Sequence, residues 1–140
     1  MGPTVFDDLD ELLQCGPTDL GKTDWWEVDS AAIARFASAT RRPAPGPAEP
    51  IPGFMLLALT NRFFPQLMEV RGASSGVNYG TGQVRFPALA GPGDRLRASG
   101  FLVQADEVPG GVQTTVKLRV EVEGVEDPCC VVESLSRWLR

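Results

Sequence analysis

This sequence predicts an α+β domain in which a curled antiparallel sheet covers one apolar helix, on three observations. The first is the stretch from Pro50 to Val70, where Phe54, Leu56, Leu57, Leu59, Phe63, Phe64, Leu67 and Met68 surround most of a helical circumference. A helix apolar nearly all round has to be enclosed by other structure. The second is the unbroken alternation over residues 112–123. Val112, Thr114, Val116, Leu118, Val120 and Val122 take one face, and Gln113, Thr115, Lys117, Arg119, Glu121 and Glu123 the other, so one face is core and the other meets water. The third is order along the chain. Helical patterns fill the first half and strand patterns the second, which is the α+β arrangement.

At 140 residues the chain is one domain, with residues 1–20 as a lead-in, and it is long enough to bury a core without disulfide staples. A net charge of −5 argues against nucleic acid or an anionic membrane as the main partner, because both reward a basic face. Cys15, Cys129 and Cys130 are odd in number and lack metal-ligand spacing, so three reduced thiols in a cytoplasmic protein are expected, with no metal and no cofactor. Residues 1–13 are acidic and lack the basic start and apolar run of a secretory leader. Asn61, Arg62 and Pro65 interrupt the central apolar stretch, which is also short for a membrane span of about 20 residues.

Taken in order, residues 4–14 place Val5, Phe6, Leu9, Leu12 and Leu13 at helical spacing, a short amphipathic helix stopped by Gly16-Pro17. Residues 23–28 read as a short strand. Asp29 or Ser30 then caps a helix that carries Ile33, Phe36 and Ala37 on one side and ends near Thr40. Residues 41–52 hold five prolines in twelve positions, which forbids helix and leaves a stiff connector. Pro52 and Gly53 start the central helix, and Pro65 is expected to kink it or end its first segment. Beyond it, residues 75–79 and 82–86 read as two short extended segments, 94–107 as a long strand, Pro109-Gly110-Gly111 as a hairpin turn, and 129–138 as a last strand.

A single helix wrapped by a curled antiparallel sheet is the hot-dog arrangement, and local motifs agree with it. Asp24-Trp25 ahead of Phe36-Ala37-Ser38-Ala39-Thr40, the Gly53-Phe54 helix start, Gly76-Val-Asn-Tyr-Gly80, Val84-Arg-Phe-Pro87 and Gly93-Asp-Arg-Leu-Arg97 follow one another in fixed order. Gly110-Gly-Val-Gln113, Val120-Glu-Val-Glu-Gly124 and Val132-Glu-Ser-Leu-Ser-Arg137 complete the set. Over residues 20–140 the sequence resembles the MaoC-like hot-dog hydratases and dehydratases, in the branch of nodulation-protein-N-like proteins and (R)-specific enoyl-CoA hydratases.

The resemblance implies a homodimer or heterodimer of hot-dog subunits that binds an acyl thioester of coenzyme A or acyl carrier protein. It also implies an Asp and a His after the Ala-Thr pair to handle proton and water. This chain has no histidine, and Ala39-Thr40 is followed by Arg41-Arg42 and a shortened loop. Hydration needs a group that exchanges a proton near neutral pH, and arginine does not give its proton up. Gly53 matches the family glycine whose N–H polarises the thioester carbonyl, or it serves only close packing. Other polar candidates are Glu49, Asn78 and Tyr79 for acid–base work, with Arg41, Arg42 and Phe54 for substrate binding. Each has a plain structural alternative.

Three functions therefore stay open. One is a dehydratase-like lyase of fatty-acid or polyketide type biosynthesis that performs elimination, isomerisation or cyclisation without the dyad, a reading favoured by the rebuilt 41–52 loop. The second is a catalytically silent subunit of a heterodimeric acyl dehydratase. The third is a binding protein for a small apolar ligand.

Overall fold

The computed structural model describes residues 2–140. Its first departure from the sequence reading is at the start. Residues 4–14 are not one helix: β1 (Thr4–Phe6) precedes α1 (Leu9–Gln14). Asp8 caps α1 by accepting the Glu11 N–H at 2.7 Å, while the Glu11 carboxylate accepts the Asp7 N–H at 2.7 Å, so helix can begin only after them. Gly16-Pro17 does stop α1, but an unanticipated strand, β2 (Thr18–Lys22), follows. Only Leu20 of β2 is buried, so no alternation marks it locally. β3 is confined to Trp26–Glu27. The next helix, α2 (Ser30–Ala39), has Asp29 as its cap, accepting the Ala32 N–H at 2.8 Å, and buries Ile33 and Ala37. The 41–52 segment has no helix or strand, though Ile51 is buried and its N–H donates to the Ala90 carbonyl at 2.8 Å.

The central helix is divided into α3 (Gly53–Ala58) and α4 (Thr60–Leu67), and Pro65 lies inside α4 without ending it. A helical proline removes the hydrogen bond to the carbonyl four residues earlier and crowds that carbonyl, so its distortion falls one turn upstream. Here that residue is Asn61, next to the break at Leu59, where the Thr60 hydroxyl also donates to the Leu57 carbonyl at 2.7 Å. Phe63 and Leu67 are buried, and Arg62 lies over the Trp26 ring at 4.2 Å. After α4, β4 (Met68–Val70) pairs in parallel with β1, Thr4 facing Met68 and Phe6 facing Val70. No helix among the described residues is long and apolar enough to cross a membrane.

The main sheet is built from β5 (Ser75–Arg85), β6 (Arg95–Val108), β7 (Gly111–Val122) and β8 (Cys130–Leu139), in the order β2-β6-β7-β8-β5 with β3 also on β6. Pro109-Gly110 makes the two-residue turn between β6 and β7, with Gly110 at φ 85°, where a side chain is disfavoured. All six even-numbered residues from Val112 to Val122 are buried, as the alternation requires. The two extended segments expected at 75–79 and 82–86 are one strand, continuous through register shifts at 78–80 and 81–84.

The helix is covered by the sheet on one side but not enclosed. Phe54 is 75% exposed, Leu57, Leu59 and Phe64 are partly exposed, and every residue of β5 except Val84 is exposed. The missing cover lies along the open edge of the sheet.

Candidate acyl-binding site

A slot between the central helices and the β8–β5 edge follows from how β5 is laid. Gly76 pairs with Trp138 and Asn78 with Ser136, so these β5 positions share the sheet face that looks towards the helices. One compartment of about 250 Å³ is bordered by Leu57, Ala58, Asn61, Thr81, Val132 and Ser134. A second, of about 270 Å³, is bordered by Asn61, Phe64, Pro65, Gly76, Ser136 and Trp138. Asn78 Nδ2 donates to Asn61 Oδ1 at 3.2 Å, and both residues border both compartments. This side-chain clasp joins α4 to β5 and divides the slot.

The far wall is held firmly. Trp138 Nε1 donates to Thr114 Oγ1 at 2.9 Å, and the indole stacks on Phe64 with ring centroids 6.3 Å apart. Gly76 makes room for it, since a Cβ there would lie 2.7 Å from Trp138 Cζ3. At the other end Gly53 opens α3, one turn before Leu57. As one of the first N–H groups of a helix, the Gly53 N–H has no intrahelical partner. The ring of Phe86, just past β5, packs on the Cα side of Gly53, where a Cβ would sit 3.2 Å away. Phe54 meets Phe86 edge to face at 6.4 Å.

The remaining sequence candidates are dispersed. Tyr79 stands beside Asn78 in the bulge, but its ring lies 3.7 Å from the Arg137 guanidinium carbon, and Arg137 Nε donates to Gln113 Oε1 at 2.9 Å. Gln113 belongs to the solvent-facing set of β7, so the Tyr79 ring is engaged on that side. Glu49 borders a separate open hollow of about 300 Å³ with Pro47, Pro50, Leu89 and Pro92. Arg41 and Arg42 are exposed at the end of α2, where their N–H groups donate to the Ser38 and Ala37 carbonyls and Arg41 takes φ 55°. The structure thus brings Asn78 and Tyr79 to the border of the first compartment and sets Gly53 and Phe54 one turn of α3 before Leu57, while Glu49, Arg41 and Arg42 stand apart.

Asn61 and Trp138 are the slot residues that sequence reasoning did not select. The available signal was Asn61 itself, an amide within an apolar helical run, where a polar group calls for a partner. The thiols contribute no nucleophile. Burial, reinforced by Cys130 and Asp94, pushes Cys129 up to about 12, and burial raises Cys130 to about 11, so neither is a thiolate near neutral pH.

No family model matches the chain. Among solved structures it is similar to the MaoC-like dehydratase from Rhodospirillum rubrum, with a TM-score of 0.66 and 16% identity over 89% of this chain and 92% of that one. It is also similar to a chain of the ChsH1–ChsH2 complex from Mycobacterium tuberculosis, with a TM-score of 0.63 and 14% identity over 89% and 98% of the two chains. These likenesses show the hot-dog fold. In sequence it is 36% identical over 148 aligned positions to 3-hydroxyacyl-thioester dehydratase Z of Mycobacterium tuberculosis, covering 96% of this chain and 98% of the relative. The chain belongs to the MaoC-like hot-dog family. Nodulation protein N of Rhizobium leguminosarum bv. viciae is a further relative, 29% identical over 126 positions, 79% of this chain and 78% of that protein. This MaoC-like chain contains no histidine, and the atoms nearest to where a Cβ on Gly53 would lie are those of the Phe86 ring.

Proposed function

We propose that the chain is the acyl-binding, catalytically silent subunit of a MaoC-like acyl-thioester dehydratase or hydratase, paired with a second hot-dog subunit that supplies the acid and base. The observation that carries this reading is the slot: a groove with Leu57, Ala58, Val132 and Phe64 along its walls, in a chain without histidine, whose one bordering tyrosine, Tyr79, has its ring held under Arg137. Hydration or elimination at a thioester needs a proton-transferring group, and positioned acid–base catalysis contributes roughly 10² to 10⁴-fold. A reading in which this chain does the chemistry alone asks Glu49, Asn78 and Tyr79 to converge. Asn78 and Tyr79 share the border of the first compartment, the one in a clasp with Asn61 and the other with its ring under Arg137, but Glu49 lies in a separate hollow.

A partner of the same fold suits the exposed β5 edge, because an open edge strand is a liability that pairing across two subunits removes. The mycobacterial relative is named for 3-hydroxyacyl thioesters and one structural neighbour is a two-protein complex, both in keeping with such a role. The substrate is then an acyl thioester of coenzyme A or acyl carrier protein, in fatty-acid or polyketide type metabolism.

The test is hydration of a crotonyl thioester by the purified chain alone and after addition of a hot-dog partner that carries the Asp and His. The expected result is no family-like rate alone, binding of a saturated acyl thioester, and activity in the mixture exceeding that of the partner by itself. Robust hydration by the chain alone would overturn the proposal and restore repurposed chemistry within this subunit.

A further inference from the structure

We infer that the Asn61–Asn78 clasp is a chain-length gate: closed, it limits the slot to its first compartment, and removing it joins the two compartments and admits longer acyl chains. The inference rests on the acyl-binding part of the proposed function and goes beyond it by naming the residues that set specificity. Asn61 is the eighth residue after Gly53, just past the Leu59 break, so at 1.5 Å per residue the clasp is at most roughly 12 Å from the glycine along the helices. A medium-length saturated chain lying along α3 from a thioester at Gly53 ends near that point. A longer one meets two amides.

The space beyond the clasp has one apolar side for a chain terminus, with Ser136 also on its border. Phe64, Pro65 and Trp138 wall it, and Trp138 is held in place by Thr114 and by the room that Gly76 leaves. On the near side Leu57, Ala58 and Val132 give a chain an apolar strip, beside Thr60, Thr81 and Ser134. The barrier between the two compartments is the amide pair, and its cost is that of desolvating polar groups against a hydrocarbon. Asn61 and Asn78 are both exposed, and among the described residues the only side-chain hydrogen bond of either is the one between them. Removing one side chain therefore opens the passage without unpairing anything buried.

The experiment measures binding of octanoyl-CoA and tetradecanoyl-CoA by calorimetry to the wild-type chain, to Asn61→Ala, Asn78→Ala and the double variant, and to the double variant carrying Ser136→Leu. Ser136 is buried and borders the second compartment, so leucine there refills it. The wild type is expected to prefer octanoyl. In the alanine variants the tetradecanoyl-to-octanoyl affinity ratio should rise at least about tenfold, well within what several newly buried methylenes contribute. Ser136→Leu should take that gain back. If the wild type binds octanoyl but the tetradecanoyl-to-octanoyl ratio moves less than about twofold in the variants, the gate is wrong while the acyl-binding reading stands. If the wild type binds neither thioester, that reading fails first and the gate with it.

Discussion

Substituting Gly76→Ala strikes the far wall of the slot and gives a cost that can be worked out. The new Cβ would lie 2.7 Å from Trp138 Cζ3 and 3.0 Å from Cε3, closer than side-chain atoms approach, and the ring is also stacked on Phe64. The indole has to move. Moving it breaks the 2.9 Å bond from Trp138 Nε1 to Thr114 Oγ1, and Thr114 is fully buried, so its hydroxyl is left without a partner. An unsatisfied buried polar group costs about 1–3 kcal/mol, and a disturbed aromatic pair about 0.5–1.5 kcal/mol. The expected loss is about 2–4 kcal/mol in urea unfolding. In a Thr114→Val background that hydrogen bond is already gone, so Gly76→Ala should cost at least about 1 kcal/mol less there, a difference that a double-mutant cycle resolves. A loss under about 0.5 kcal/mol, or the same loss in both backgrounds, would refute the account of Trp138 as a pinned wall.

Other outcomes are expected of the same molecule. Sedimentation at micromolar concentration should give a dimer, and Phe54→Asp, at a side chain 75% exposed in the single chain, should weaken it at least about tenfold, since a buried unpaired charge is costly at an interface; an unchanged dimer would place that face outside the contact. Glu49→Gln and Tyr79→Phe, made separately in the active mixture of chain and partner, should change turnover less than about twofold, whereas loss of a working acid or base costs about 10² or more. A thiol reagent at pH 8 should label one cysteine of the native chain, the part-exposed Cys15, and three after unfolding. Cys129 and Cys130 hold their protons to about 12 and about 11, against an ordinary 9.0. The unfolded chain thus binds fewer protons above pH 9, and stability should fall as pH rises from there. Glu121 works at the acid end: burial pushes its carboxyl up, but hydrogen bonds from Arg97 and Lys22 more than offset this and leave it below the usual 4.5. Its contribution is present above 4.5 and should be lost as pH falls through the lowered value.

The parts of the fold legible in the sequence are those whose cause is local. Alternation from Val112 to Val122 reports one half-buried strand, Asp29 marks a helix start by its carboxylate, and Pro109-Gly110 needs no distant partner to turn. Hidden were the features decided by residues far along the chain. Val5 and Phe6 are helical by spacing but are claimed by β4, and β2 has a single buried residue and exists because β6 offers it an edge. The break at Leu59 was foreseeable in kind, though not in place, because a proline acts on the carbonyl four residues before it. At the site, Gly53 and Asn78 were legible through motifs. Asn61 and Trp138 were not, because their roles depend on pairings with Asn78, Thr114 and Phe64 that only the folded chain brings about.

The placement of β5 has a further consequence for the order in which the molecule assembles. β6, β7 and β8 are neighbours in sequence and form a meander of short-range contacts, which closes at little entropic cost. β5 must instead return across the chain until Ser75 meets Leu139, and among the described residues its only neighbour in the sheet is β8. It should dock last and detach first. Hydrogen exchange would register this as a ladder of β5 amides that lose protection well before those of β7, and a subunit kept from its partner would spend that open time with a bare strand edge on each side of the gap.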